Sequence, residues 1–166
     1  MSQVLSLLFV AFLLLMVGLK YWLSWRHVRH VGQHADAVPP QFADRVSLEA
    51  HRKAAAYTIA KTRLGLVDTA VGAAILIGLT LLGGLQWIAD AATAWFGHGF
   101  VSQLAVVAVV VLLLAAVDLP FSWFRQFRIE QRYGFNRMTL KLWITDLAKS
   151  LVLAAVLGLP LLAAII

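Results

Sequence analysis

The sequence has no cysteine and few charged residues, and each shortage excludes a class of protein. Without cysteine, the 166-residue chain forms neither disulfide bonds nor thiolate metal sites. Charged residues make up only 13% of the chain, against roughly 25% in an average soluble domain. Hydrophobic residues instead make up 61%, and the mean hydropathy is +0.84. This composition is that of a membrane protein.

The net charge of +6 does not indicate a nucleic-acid partner. The basic residues lie beside long apolar runs, where membrane orientation and lipid headgroups account for them. We therefore expect the lipid bilayer, and no nucleic acid, among the partners.

Four apolar runs are long enough to cross a bilayer, which takes about 20 helical residues. They lie near 4–25, 64–89, 101–123 and 142–166. The first run has neither the basic flank nor the cleavage site of a signal peptide, so we expect it to be retained. Runs of this length satisfy their backbone in lipid only as helices. The sequence thus predicts an all-α, multi-pass transmembrane helical bundle of about four transmembrane helices.

The distribution of positive charge predicts the orientation of these helices. Lysine and arginine are concentrated between the first and second runs and between the third and fourth. The outer stretches 1–3 and 90–100 contain none. By the positive-inside rule, loops 26–63 and 124–141 are cytoplasmic and the N-terminus is outside, in the cell (inner) membrane.

The second membrane helix is expected to begin before the bilayer. Pro39 and Pro40 stop any preceding helix, Ser47 is a good N-cap and Glu49 falls in the first turn. No helix breaker follows before Gly65, and a membrane helix tolerates glycine. The second span should therefore carry a cytoplasmic helical extension.

Three charged residues inside or at the rim of the spans are candidates for intramembrane ion pairs. Asp146 and Lys149 are spaced i, i+3 and can neutralise each other. Asp118 lies two residues before Pro120, close to the basic residues of 125–132, so an ion pair to an arginine is favoured over a proton relay.

The chain carries no recognisable catalytic motif. His27, His30 and His34 would lie near one helical face, but matching acidic or thiolate ligands are missing, so a zinc site is not favoured. No HExxH, phosphate-binding glycine loop or GxSxG occurs. The sequence therefore predicts no catalytic, cofactor-binding or metal-binding residue in this chain.

The stretch 129–139, IEQRYGFNRMT, lies in a region that resembles a known family. Residues 118–161 are similar to the signature of the N-terminal membrane domain of the type I CAAX prenyl proteases, which are integral-membrane zinc metalloendopeptidases. The shared pattern is IE-x-x-(F/Y)GFN-(K/R)-x-T followed by D-x-x-K, here completed by Asp146 and Lys149. The first loop is also similar, through its VP-x-x-F, its S-L-x-x-H-x-K-A-A-x-Y-T and its A-K-x-R.

The resemblance implies a protease that cleaves peptides at the membrane, with a catalytic domain on the cytoplasmic side and helices enclosing a chamber. In the family the HExxH helix follows further membrane helices, so no catalytic residue is carried over to this chain. Zinc is expected for the full-length family protein, and this chain alone is expected to be inactive. What carries over is a candidate chamber or docking loop formed by Arg128, Glu130, Arg132, Asn136 and Arg137.

Within this loop, Gly134 should permit a tight turn, Tyr133 and Phe135 should anchor at the membrane interface, and Glu130 should form a network with the arginines.

The leading hypothesis is a single N-terminal transmembrane domain over 1–166 that forms the scaffold for a downstream HExxH domain of the same polypeptide. Its further partner would be a peptide or protein substrate of the full-length enzyme. The alternative is a stand-alone, non-catalytic membrane scaffold that binds a protein partner or lipid. A small transporter subunit ranks lowest, because broken helices at the midplane are not indicated. The apolar ending LPLLAAII favours a chain that continues.

Overall fold

The computed structural model describes residues 2–165, and this part of the chain is helical without β-strands. The all-α prediction is therefore confirmed. The elements in chain order are α1 (Ser2–Gln33), a 3-10 turn (Pro40–Phe42), α2 (Leu48–Thr80), α3 (Gly84–Phe96), α4 (Phe100–Phe124), a π-helical turn (Arg125–Glu130), α5 (Leu140–Leu153), a second π-helical segment (Ala154–Gly158) and α6 (Leu159–Ile165).

Four helical stretches in the described part are long and apolar enough to cross a membrane. They are Gln3–Gln33, Leu48–Thr80, Phe100–Glu130 and Leu140–Ala164. Each corresponds to one predicted run, so the prediction of about four transmembrane helices is confirmed. The end of the last predicted run, Ile166, lies outside the described residues.

The helical extension before the second span is also confirmed. α2 begins at Leu48 and continues for 33 residues. The Ser47 hydroxyl accepts a hydrogen bond from the Ala50 amide at 3.2 Å, which satisfies one of the free donors at the helix start.

The structure corrects the predicted end of the second span. The sequence predicts a span that continues to Ala89, but α2 ends at Thr80 and a separate helix, α3, begins at Gly84. Gly83 has a φ of +80°, a left-handed conformation that only glycine adopts easily. The outer stretch predicted at 90–100 accordingly contains the second half of α3.

The chain forms two compact units, each built from separated segments. The first contains the chain up to Ile77 and Phe121–Asn136, and the second contains Gly78–Pro120 and the chain from Arg137 onward. That residues 1–166 act as a single membrane domain stays a prediction.

The first unit holds α1 against α2 and contains the loop predicted as functional. The Tyr21 hydroxyl of α1 donates a hydrogen bond to the Leu66 carbonyl of α2 at 2.8 Å. Leu13, Ala55 and Ile129 are its buried apolar side chains in the described part. Most other apolar side chains are exposed, as expected of helices that lipid surrounds.

The second unit contains α3 and most of α4. Ile88 and Ala92, one helical turn apart on α3, are buried. They border a small apolar cavity that Ala105 and Val109 of α4 also line. The buried hydroxyl of Ser102 donates a hydrogen bond to the Gly99 carbonyl at 2.7 Å, which closes the start of α4.

Candidate functional site

The candidate site begins with a change of helical pitch. α4 contains Pro120 and passes into the π-helical turn Arg125–Glu130. A proline removes one backbone donor and loosens the preceding turn, and π turns inside helices are frequent at functional sites. Ile129, in this turn, is only 6% exposed, so it fixes the turn in the interior of the first unit.

A tight turn follows, as the sequence predicted for Gly134. Gly134 has a φ of +74°. The carbonyl of Glu130 accepts hydrogen bonds from the amides of Phe135 at 2.8 Å and Asn136 at 3.2 Å. This arrangement satisfies a carbonyl at the helix end by reversing the chain through a left-handed glycine. The prediction that Gly134 permits the turn is confirmed.

Asn136 is held by Gln126, which is not among the five loop residues predicted from the sequence. The Gln126 side-chain amide donates a hydrogen bond to Asn136 Oδ1 at 2.6 Å. Because Gln126 lies in the π-helical turn and Asn136 at the end of the reversal, this bond closes the loop on itself. Both side chains are partly buried, so the bond is shielded from water.

The loop is attached to the first half of α2 by aromatic contacts. The ring of Tyr57 lies 5.7 Å from Tyr133, at an interplanar angle of 70°, and 4.8 Å from Phe135. Lys53 Nζ lies 6.0 Å from the centre of the Phe135 ring. These spacings fall in the range in which ring pairs and cation–π contacts are attractive. In the first unit, Tyr133 and Phe135 therefore pack on α2.

A groove opens between α2 and the π-helical turn, still within the first unit. Its volume is about 1010 Å³. Three exposed arginines line it, together with apolar side chains of both helices. We call it the basic groove and define it by Arg63, Arg128, Arg132, Leu64, Phe124 and Phe127. Two of the five predicted loop residues, Arg128 and Arg132, thus share one groove, to which Arg63 of α2 adds a third guanidinium.

Glu130 and Arg137 have other surroundings. Glu130 is half-buried and does not line the basic groove. Within residues 2–165, its carboxylate forms no salt bridge at 4.0 Å or less. A salt bridge of 2.8 Å joins Arg52 to Asp36 elsewhere in the first unit. Arg137 is exposed and belongs to the second unit. The network predicted for Glu130 stays a prediction.

The three candidate intramembrane charges lie on helices of the second unit. Asp118 lies in α4, and Asp146 and Lys149 lie one turn apart on α5. In the described structure, no salt bridge at 4.0 Å or less joins Asp146 to Lys149. Ion pairing by these residues stays a prediction.

The histidines of the first loop form backbone contacts. His34 Nδ1 lies 2.8 Å from the carbonyl oxygen of His30, and His51 Nε2 lies 3.0 Å from that of His34. Over residues 2–165, no group of three or more histidine, cysteine, aspartate or glutamate side chains has the arrangement of a metal site. The residues described here therefore do not fit a zinc centre.

Replacing Gly134 by alanine should destabilise the loop. A non-glycine residue in the left-handed region costs about 1–2 kcal/mol, and the new Cβ would lie 3.3 Å from Lys53 Nζ, a mobile group that can move. We therefore expect the free energy of unfolding, measured in detergent micelles, to fall by about 1–2 kcal/mol. Gly65→Ala is the control, because its Cβ would meet no atom within 4 Å. Equal stabilities of the two variants would contradict the strained turn.

Comparison with known families places these features in context. The sequence model of a family described as "CAAX prenyl protease N-terminal, five membrane helices" matches residues 27–166. The described part of this chain has four helices of membrane-crossing length together with the shorter α3.

Individual relatives show the same similarity. The CAAX prenyl protease 1 homolog of Oryza sativa subsp. japonica is 30% identical over 166 residues, covering 95% of this chain and 38% of that protein. CAAX prenyl protease 1 of Saccharomyces cerevisiae is 43% identical over 60 residues, or 36% of this chain and 13% of that protein.

A solved structure extends the similarity to the fold. The crystal structure of S. mikatae Ste24p matches with a TM-score of 0.83 and 26% identity, over 93% of this chain and 37% of that chain. The present chain thus spans well under half the length of the relatives it matches.

Proposed function

Because the chain belongs to the CAAX prenyl protease family, as its N-terminal membrane domain, we propose that it forms the membrane scaffold of a zinc metalloendopeptidase. In this proposal the HExxH helix and the zinc ligands lie downstream in the same polypeptide, and the helices described here help to enclose the chamber that receives a peptide or protein substrate. The observation that carries the proposal is the structural similarity to Ste24p over 93% of the chain.

In this proposal the loop after α4 docks the downstream catalytic domain or borders the chamber. The support is its fixed shape: Gln126 closes the loop through Asn136, and Tyr57 of α2 holds Tyr133 and Phe135. A preformed loop loses little entropy on docking. The residues assigned to this role are Arg128, Glu130, Arg132, Asn136 and Arg137.

In the proposed orientation the protein lies in the cell (inner) membrane, and this loop faces the cytoplasm. Loops 26–63 and 124–141 would face the cytoplasm and the N-terminus would be outside. The support is the concentration of lysine and arginine in these two loops.

A chimera tests the scaffold function. In the Oryza sativa relative, the segment that aligns with this chain is replaced by residues 1–166, and cleavage of a prenylated CAAX peptide is measured in membranes. We expect the chimera to cleave the peptide within about tenfold of the parent rate, and the chain alone to show no cleavage. Replacing the glutamate of HExxH in the catalytic half is the control, since that glutamate is the general base of such sites.

Two outcomes would contradict the proposal. Cleavage by the chain alone would show that catalysis needs no downstream domain. An inactive chimera of normal abundance would favour the stand-alone, non-catalytic scaffold. A chimera with Glu130→Ala examines the loop in the same assay: reduced cleavage at unchanged abundance supports docking, with Glu49→Ala on the exposed start of α2 as the matched carboxylate control.

A further inference from the structure

We propose that the basic groove binds one anionic phospholipid, with the lipid phosphate at the three arginines and an acyl chain along the apolar side. This inference does not depend on the protease function, because every residue it uses belongs to the first unit of this chain.

The groove is large enough for such a ligand and has a charged side and an apolar side. Its volume of about 1010 Å³ is at the upper end of ordinary ligand pockets. Arg63, Arg128 and Arg132 supply its charged side, and Leu64, Phe124 and Phe127 supply apolar surface. A phospholipid has the same two parts, an anionic headgroup joined to hydrocarbon.

The charge of the groove is not compensated within the described structure. Its described lining residues include three guanidinium groups and no carboxylate. None of the three arginines forms a salt bridge at 4.0 Å or less with the described residues. All three are exposed and so accessible to a ligand. Guanidinium groups pair with phosphate oxygens through two parallel hydrogen bonds, which makes phosphate the matching anion.

The place of the groove along α2 selects a lipid as the source of that phosphate. The first half of α2 carries Lys53, Lys61 and Arg63, whereas the helix from Leu64 to Thr80 carries one charged residue, Asp68. Arg63 and Leu64 therefore mark the change from water-exposed to membrane-embedded helix, the level at which headgroups lie. Basic pockets between membrane helices at this level are typical sites for anionic headgroups.

Lipid retention on the purified chain tests the proposal. The chain is reconstituted in nanodiscs of equal parts phosphatidylglycerol and phosphatidylcholine with identical acyl chains, then released for native mass spectrometry. The ratio of the two lipids retained per chain is the readout. We expect wild-type protein to retain one phosphatidylglycerol preferentially. Combined replacement of Arg63, Arg128 and Arg132 by glutamine should lower this preference about tenfold or more.

The control removes the same charge elsewhere. Replacement of Arg26, Arg29 and Arg45 by glutamine leaves the groove intact, because none of the three lines it. We expect this control to keep the wild-type preference within about twofold. If both triple variants lose the preference for phosphatidylglycerol equally, the preference comes from the overall positive charge. That result would overturn the proposed site. An unchanged ratio in the groove variant would overturn it as well.

Two further arms complete the test. If the triple variant does not fold, as judged by helical circular dichroism and elution volume, Arg128→Gln alone is measured and should lower the preference severalfold. Inorganic phosphate is added as competitor during release, and we expect it not to displace the lipid. Displacement would overturn the lipid assignment in favour of a free-phosphate site, and wild-type protein without any preference would favour a protein segment as occupant.

Discussion

Gly84→Ala is expected to lower the free energy of unfolding by about 3 kcal/mol, because the backbone at the start of α3 leaves no room for a side chain. A Cβ at this position would lie 2.8 Å from the Gly78 carbonyl oxygen and 3.1 Å from Leu79 Cα. Both are backbone atoms, so the clash is relieved only by moving α3 relative to the end of α2. We would measure unfolding by SDS titration in mixed micelles.

The matched control is Gly78→Ala, which changes the other partner of the same close approach. A Cβ at Gly78 would meet no atom within 4 Å, and alanine is the better helix former by about 1 kcal/mol. This variant should therefore be as stable as wild type or slightly more so. If Gly84→Ala and Gly78→Ala have the same free energy of unfolding, the close approach of α3 to the end of α2 is contradicted.

Ile129→Ala is expected to cost about 2–4 kcal/mol of unfolding free energy, since deletion of a buried aliphatic side chain leaves a cavity. Ile129 is 6% exposed and lies in the π-helical turn. Its carbonyl also accepts the Tyr133 amide at 3.2 Å, so loss of its packing loosens the start of the loop. In the chimera proposed above, cleavage should fall along with stability.

Two controls separate packing from the mere loss of an apolar group. Ile129→Val removes a single methylene and should cost about 0.5–1.5 kcal/mol. Ile144→Ala removes the same atoms from a side chain that is 52% exposed, and should change stability little. A similar cost for Ile129→Ala and Ile144→Ala would contradict the assignment of Ile129 to the interior.

Much of the fold was predictable, because each membrane helix corresponds to one long apolar run in the sequence. An apolar run of about 20 residues satisfies its backbone only as a helix, whatever its neighbours are. The start of α2 was equally readable, since Ser47 caps it through a local contact. Both signals depend on residues that are adjacent in sequence.

The end of α2 was not readable from hydropathy alone. The segment LTLLGGLQW contains no charged residue and only two polar ones, Thr80 and Gln86, so it extends the run without a clear break. The break depends on the left-handed conformation of Gly83 and the close approach at Gly84. A glycine pair was visible in the sequence, but membrane helices often tolerate glycine, so the pair by itself did not select a turn.

The candidate site was predictable in its turn but not in its attachments. Gly134 indicates a reversal by its own conformational freedom. The contacts of Tyr57 with Tyr133 and Phe135 join residues more than seventy positions apart in sequence, and no local pattern encodes them. The only sequence signal was that both segments carried parts of one family pattern. The place of Arg63 in the basic groove was not predictable either, because it depends on the packing of α2 on the π-helical turn.

The length of α2 has a consequence for where the loop lies. A helix of 33 residues is about 50 Å long, whereas the hydrocarbon layer is about 30 Å thick. Because charged side chains are costly in hydrocarbon, the surplus falls at the charged first half of α2. That half includes Lys53 and Tyr57, to which the loop is attached. α2 therefore acts as a rigid spacer that fixes the height of the loop above the hydrocarbon. One helical turn more or fewer between Tyr57 and Arg63 would move that height by about 5 Å.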